Sequence, residues 1–295
     1  MNFKKIPFEF IAVICLVTVL INGCTVKTLY NQLDWLIADR LQSYVELDED
    51  QQELLNANLQ QTLLWHRSTQ LPLYAKWLQS FKADMLGRPT VKNVGQHLDQ
   101  FQLFLHTVRV HSAGQIAELL PLLSAEQRQQ VYRKMEDENV NFSEKFIEID
   151  REEQIEAYAE RMEDRMNDWL GSVNEKQEML IAGSAKKIQT VASEVLQSRK
   201  RWQAAFKNIL ENNKNPKLIR ASLQDLLVNI EKQRSANYKR IFASNRQVLI
   251  NLIIDVAKTM DADQRLHLTE KVDDYSISFS EMAREANQSL PEHSL

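Results

Sequence analysis

Residues 123–144 read LSAEQRQQVYRKMEDENVNFSE, and residues 260–281 read MDADQRLHLTEKVDDYSISFSE. Both stretches open with an apolar residue, a side chain that can cap a helix, two mostly polar residues and a glutamine. Apolar residues then recur at intervals of three or four, which is the spacing of an amphipathic helix. The two stretches therefore predict two similar helices, each with a defined start.

The opening pattern predicts a capping box. In this motif the capping side chain accepts a hydrogen bond from the third helical N–H, and the glutamine side chain accepts one from the N–H of the capping residue. The pattern occurs four times, with capping residue and glutamine at Asp48 and Gln51, Ser124 and Gln127, Asn174 and Gln177, and Asp261 and Gln264. We interpret all eight residues as structural.

Amphipathic runs fill most of the chain, and no stretch shows the alternation of a half-buried strand. The runs cover residues 30–44, 49–70, 73–86, 91–120, 125–169, 175–212, 217–232, 236–258 and 262–287. Breaks are predicted near Pro72, Gly87 to Pro89, Pro121, Gly171 and Asn212 to Pro216. We predict an all-α fold, a multi-helix array or bundle.

The two quoted stretches also indicate an internal duplication, since a shift of 137 residues superposes them. The same shift pairs Trp65 with Trp202. We therefore expect two related halves, residues 30–170 and 171–290, as in other repeated architectures. Convergence of two amphipathic helices is the alternative. The identical positions in the two stretches are Ala125/Ala262, Gln127/Gln264, Arg128/Arg265, Lys134/Lys271, Asp137/Asp274, Phe142/Phe279, Ser143/Ser280 and Glu144/Glu281.

The N-terminus has the pattern of a lipoprotein signal peptide over residues 1–23. Two lysines precede an apolar run from Phe10 to Ile21, and Gly23 stands directly before Cys24. A transmembrane helix is the alternative, but it would need about 20 apolar residues. We predict that Cys24 carries a diacylglycerol and acyl modification, and that residues 24–29 form a short tether to the folded body.

The residue after Cys24 is Thr25 instead of Asp, which favours sorting to the periplasmic face of the outer membrane. Inner-membrane retention stays an alternative. The chain has two cysteines, Cys15 in the predicted signal peptide and Cys24, so no disulfide is expected in the mature protein. The net charge of −4 argues against nucleic acid as a partner.

Several motifs resemble a family of uncharacterised proteobacterial lipoproteins that is grouped only as a domain of unknown function. They are Tyr30-Asn31-Gln32-Leu33-Asp34-Trp35, Trp65-His66-Arg67, Trp169-Leu170-Gly171, Arg201-Trp202-Gln203 and Asp263-Gln264-Arg265-Leu266-His267-Leu268. The resemblance implies an all-helical lipoprotein of the cell envelope, and it implies no activity.

The capping pattern is also similar to the Leu-Thr-x-x-Gln motif of the Spy and CpxP periplasmic stress proteins, which bind unfolded clients or a sensor kinase. Here Asp, Ser and Asn replace the threonine of that motif. The similarity implies a chaperone-like or envelope-stress protein as the alternative function.

The sequence contains no recognised catalytic or metal-binding pattern. There is no Gly-rich phosphate loop or Gly-x-Ser-x-Gly elbow, and the six histidines lack metal-ligand spacing. The carboxylates between Asp150 and Arg165 alternate with basic residues, as on a solvated helix face, so an envelope hydrolase is the least favoured function. We expect no catalytic residue, no metal and no cofactor.

One polar-aromatic cluster, Trp65-His66-Arg67, is a candidate for an interaction groove, together with the equivalent Trp202. The alternative is structural, with Trp65 filling the core and His66 capping or bonding a loop near Pro72. The sequence thus predicts a non-enzymatic scaffold or binding protein, attached to the membrane by its lipid. Its partner would be one envelope protein, or unfolded clients if the chaperone alternative holds.

Overall fold

The computed structural model describes residues 23–212 and 215–289, and within these ranges it contains helices and no strand. The all-α prediction is therefore confirmed. The predicted signal peptide lies outside the described residues, apart from Gly23. The α-helices are α1 (Gly23–Tyr30), α2 (Leu33–Gln42), α3 (Glu49–Trp65), α4 (Leu71–Leu86), α5 (Val91–Leu119), α6 (Ala125–Phe146), α7 (Arg151–Leu170), α8 (Glu175–Ala185), α9 (Ala192–Asn212), α10 (Pro216–Val228), α11 (Ala236–Lys258) and α12 (Ala262–Ser289).

Pro72 does not break the chain's helical path, contrary to the prediction. A π-helix, His66–Gln70, joins α3 directly to α4, and the N–H of Leu71 donates to the carbonyl of His66. The wider π turn inserts one extra residue and places Pro72 in the first turn of α4, where a missing N–H costs little. Two 3₁₀ turns, Leu120–Leu122 and Ile230–Gln233, follow α5 and α10.

Other helix ends also differ from the prediction. The run 125–169 is interrupted, because Asp150 caps a new helix by accepting from the N–H of Glu153 at 2.9 Å. The run 175–212 is interrupted between Ala185 and Ala192. In this segment the side chain of Asn245 hydrogen-bonds both the N–H and the carbonyl of Gln189. Residues 24–29, expected as a tether, are helical and belong to α1.

The predicted end at Gly171 is confirmed. Gly171 ends α7 with φ +82°, a conformation that side-chain-bearing residues rarely adopt. A Cβ atom at this position would also lie 3.2 Å from the ring of His267 on α12. This glycine therefore serves both the turn and the close approach of α12.

All four predicted capping boxes form. The N–H of each glutamine donates to its capping side chain, at 2.9 Å to Asp48, 3.2 Å to Ser124, 3.1 Å to Asn174 and 2.9 Å to Asp261. Each glutamine Oε1 in turn accepts from the N–H of the same capping residue, at 3.1, 2.8, 3.0 and 3.2 Å.

The boxes also pair with one another, which the sequence did not indicate. The side-chain amides of Gln51 and Gln127 donate to each other, at 3.1 and 2.6 Å between Nε2 and Oε1. The amides of Gln177 and Gln264 do the same at 2.9 and 2.7 Å, and these two residues are almost fully buried. Each pair therefore joins the starts of two helices, α3 with α6 and α8 with α12.

Backbone carbonyls complete the pairs. Gln51 Nε2 donates to the carbonyl of Leu122, and Gln127 Nε2 donates to that of Glu46. In the other pair, Gln264 Nε2 donates to the carbonyl of Ser172. Each of these carbonyls stands two residues before the capping residue of the opposite box, so the helix starts meet through main chain as well as side chains.

Two hydrophobic cores lie in the described part of the chain, and each takes helices from both sequence halves. The larger core combines α4 residues such as Leu71 with α11 and α12 residues such as Ile250 and Val272. The smaller combines α6 residues such as Val131 with Leu223 of α10 and residues of α9. The predicted halves are thus interleaved in space.

Two arginines also connect helices from the two halves of the sequence. Arg128 of α6 donates to the carbonyl of Leu210 near the end of α9, and Arg265 of α12 donates to the carbonyl of Leu86 at the end of α4, both at 3.0 Å. Cationic groups at helix C-termini satisfy the last carbonyls and match the helix dipole. The duplication remains a prediction, although these equivalent arginines act in equivalent ways across the two cores.

No α-helix within residues 23–212 and 215–289 is long and apolar enough to cross a membrane.

The glutamine pairing predicts that two similar substitutions in capping boxes lower the free energy of unfolding by different amounts. Gln177→Ala should lower the free energy of unfolding by about 2–4 kcal/mol, because it leaves the buried amide of Gln264 short of a partner and opens a cavity. A further capping box, formed by Thr90 and Asn93 at the start of α5, is exposed and pairs with no other box in the described residues. Asn93→Ala, which replaces the residue in the position of the glutamine, should lower the free energy of unfolding by only about 1 kcal/mol. Urea unfolding measures both, and equal costs would contradict the pairing.

Candidate functional site

The helix that carries Cys24 is held firmly against the body. Cys24 lies in the first turn of α1, while Val26 and Tyr30 of the same helix are buried in the larger core. Lys27 pairs with Glu285 near the end of α12, at 2.6 Å between Nζ and Oε1. Helix α1 therefore docks on the C-terminal part of α12.

His66, in the first position of the π-helix, links α1 to α4. Its Nδ1 lies 2.5 Å from the hydroxyl of Tyr30, and its Nε2 lies 3.2 Å from the hydroxyl of Tyr74. A neutral imidazole has one donor and one acceptor, so one hydroxyl donates to the ring and the other accepts from it. The ring thus bridges α1 and α4.

Burial is the main cause that lowers the pKa of His66 to about 4, and the nearby charges of Arg67 and His111 contribute to the same shift. The imidazole is only 2% exposed. His66 is therefore neutral near pH 7, and it is too enclosed to line an open groove. Instead of capping or bonding a loop near Pro72, the ring of His66 hydrogen-bonds the hydroxyls of Tyr30 and Tyr74.

Arg67, at the next position of the π-helix, contacts the end of α1. Its guanidinium lies 5.0 Å from the centre of the Tyr30 ring, a cation–π contact, and its Nη2 donates to Asn31 Oδ1 at 3.0 Å. The π turn changes the direction of successive side chains relative to an α-helix. His66 and Arg67 consequently both reach the end of α1.

Trp65 and Trp202 do not share one site. Trp65 stacks on His111 of α5, with ring centres 3.6 Å apart and the planes at 4°. Trp202 stacks on Phe206 in the smaller core, and its Nε1 donates to the carbonyl of Leu226 at 3.2 Å. The structure brings Trp65, His66 and Arg67 together at the π-helix and places Trp202 elsewhere.

A groove of about 710 Å³ lies between α4 and α12, the helix pair with the most extensive contact. Small residues bring the two helices close, and Ser276 Oγ donates to the carbonyl of Ala75 at 3.3 Å. The lining residues are Pro72, Ala75, Lys76 and Gln79 from α4, and Ser276, Ser280, Ala283, Arg284, Asn287 and Gln288 from α12.

The charges that line this groove are basic. The side chains of Lys76 and Arg284 are exposed, and neither side chain forms a hydrogen bond or an ion pair within residues 23–212 and 215–289. By contrast Lys82, six residues further along α4, pairs with Asp273. Glu281 borders a smaller adjoining hollow of about 370 Å³.

Sequence reasoning missed this groove. Its only sequence signal is the recurrence of small residues along α12, with Ser276, Ser280 and Ala283 at intervals of four and three. Such a stripe is common where helices pack, and the sequence does not say which helix faces it. The contact between α4 and α12 joins residues about 200 positions apart, as Ala75 and Ser276 do.

No group of three or more histidine, cysteine or acidic side chains in the described residues has an arrangement that could hold a metal ion.

Comparison with known proteins gives one match. The model of the family of unknown function DUF6279 matches residues 43–239. The matched region includes the π-helix and the capping boxes at Asp48, Thr90, Ser124 and Asn174, whereas α1, α2, α12 and most of α11 lie outside it. No curated protein and no solved structure matches the chain.

The environment of His66 predicts a pH dependence of stability. Its folded pKa of about 4 lies below its ordinary value of 6.5, so the unfolded chain binds more protons between these values. The stabilisation is present above pH 6.5 and is lost as the pH falls towards 4, with a loss of about 2 kcal/mol at pH 5.

Urea unfolding of the wild type and of His66→Gln, at pH 7 and about pH 5, measures this dependence. The variant cannot take up this proton. The free energies of unfolding at the two pH values should therefore differ by about 2 kcal/mol less in the variant than in the wild type. An unchanged difference would contradict the assignment of the acid sensitivity to His66.

Proposed function

We propose that this chain, which belongs to the DUF6279 family, is a lipid-anchored, non-enzymatic binding or scaffold protein of the bacterial cell envelope. It is attached through acylated Cys24 to the periplasmic face of the outer membrane. Its body binds a ligand or partner close to the bilayer.

The lipobox-like sequence before Cys24 supports the anchor, and the docking of α1 supports a fixed position for the body. Lys27 and Tyr30 tie α1 to α12 and to the π-helix by an ion pair and a buried hydrogen bond. An acyl chain on Cys24 would therefore lie one helical turn from residues that belong to the folded body. The groove between α4 and α12 opens in the same region.

Two observations favour this function over a chaperone of the Spy and CpxP kind. The glutamines of the capping boxes are occupied by contacts within the chain, so the motif has a structural use here. Large exposed apolar side chains are also spread over many helices, for example Leu103 on α5, Met179 on α8 and Leu218 on α10. Scattered exposure of this kind is ordinary for a soluble surface.

Fractionation of cells that produce the chain tests the anchor. The wild type should appear in the outer membrane with an intact mass that begins at acylated Cys24, whereas Cys24→Ala should keep its signal peptide. Thr25→Asp should move the acylated protein to the inner membrane. A wild-type chain without an acyl group would contradict the proposal.

Cross-linking in the same cells, followed by quantitative mass spectrometry, tests the binding role. A scaffold should recover one envelope protein in near-stoichiometric yield. Recovery of many unrelated envelope proteins, increasing under heat or acid stress, would instead support the chaperone alternative and contradict the scaffold.

A further inference from the structure

We propose that the groove between α4 and α12 binds the phosphate of an anionic phospholipid headgroup through Lys76 and Arg284. The inference rests on the proposed function, since it takes the membrane at Cys24 as the source of the lipid. It gives the groove a ligand class and the body a fixed orientation on the bilayer.

The charge of the groove suits a phosphate. Lys76 and Arg284 line the same hollow from opposite helices, and both keep their full donor capacity within the described part of the chain. Arginine can bind phosphate oxygens through two parallel N–H donors, and lysine adds a compact positive charge. Among the described residues no carboxylate lines the groove itself, Glu281 borders the adjoining hollow, and the nearby Glu285 is paired with Lys27.

The polar groups around the cations suit the rest of a headgroup. Asn287 and Gln288 offer amide donors and acceptors on the last turns of α12. Such groups match the hydroxyls and ester oxygens that flank a lipid phosphate. The apolar side chains that line the groove, those of Pro72, Ala75 and Ala283, can contact the glycerol carbons of the lipid.

The position of the groove selects a membrane lipid. Arg284 precedes Glu285, and Glu285 contacts Lys27, which follows Cys24 by three residues. Three residues of α-helix rise by about 4.5 Å. One ion pair and one turn of α1 therefore separate the C-terminal end of the groove from the predicted acylation site.

The size of the groove also fits. Its volume of about 710 Å³ is within the usual range for small-molecule sites, and it is largely open to solvent. An open groove can receive a headgroup from the bilayer surface without rearrangement of α4 or α12. Basic residues near a membrane surface are moreover attracted to anionic lipid.

Binding of short-chain phosphatidylglycerol to the mature, detergent-solubilised chain tests the proposal. We expect saturable binding that short-chain phosphatidylcholine does not reproduce. The double variant Lys76→Gln/Arg284→Gln should bind at least about tenfold more weakly, because it removes two charge-assisted contacts. The matched control Lys92→Gln/Arg133→Gln removes two exposed cations outside the groove and should bind like the wild type.

The outcomes separate the alternatives. Equal binding of both lipids, or unchanged binding by the groove variant, would overturn the proposal. Displacement of phosphatidylglycerol by an equal concentration of inorganic phosphate would overturn the assignment to a lipid. All four substituted side chains are exposed, so the variants should keep the wild-type unfolding midpoint, which urea titration checks.

The intact mass of the chain, recorded before binding, distinguishes this proposal from the proposed function. An acylated chain that does not bind phosphatidylglycerol contradicts the groove assignment alone. An unacylated chain that binds it contradicts the lipid anchor and supports the groove.

Discussion

Two pairs of side-chain amides determine where four helices begin and which helices meet. A primary amide has two N–H donors and one oxygen acceptor, and in Gln264 all of them are used by Gln177, Ser172 and the N–H of Asp261. A buried amide left without such partners would cost about 1–3 kcal/mol. The helix starts are therefore coupled, and the two interleaved cores form around these fixed points.

The position of the proposed lipid site depends on this arrangement. The pair formed by Gln177 and Gln264 fixes the start of α12, and α12 carries the groove at its other end. Helix α4 comes from the opposite half of the sequence and is held to α12 by the larger core and by Arg265. The π-helix before α4 then holds α1 through His66 and Arg67. Helix α1, the groove and the larger core are thus parts of one packed unit.

The sequence predicted what depends on local chemistry. The four capping boxes and the end at Gly171 follow from side chains next to the backbone groups they satisfy. What it missed depends on distant partners: the glutamines pair across about 76 and 87 residues, and Asn245 stabilises the interruption after Ala185 from α11. The repeat makes Trp202 the equivalent of Trp65. In the fold, however, the two side chains pack against different neighbours, Phe206 for Trp202 and His111 for Trp65.

The two cores should unfold together, because each contains helices from both halves. Scanning calorimetry of the wild type and of Leu223→Ala tests it most directly, since Leu223 is fully buried in the smaller core. We expect one transition, with equal calorimetric and van't Hoff enthalpies, and the variant should move the whole of it to lower temperature. Two transitions, of which the variant moves only one, would contradict the account.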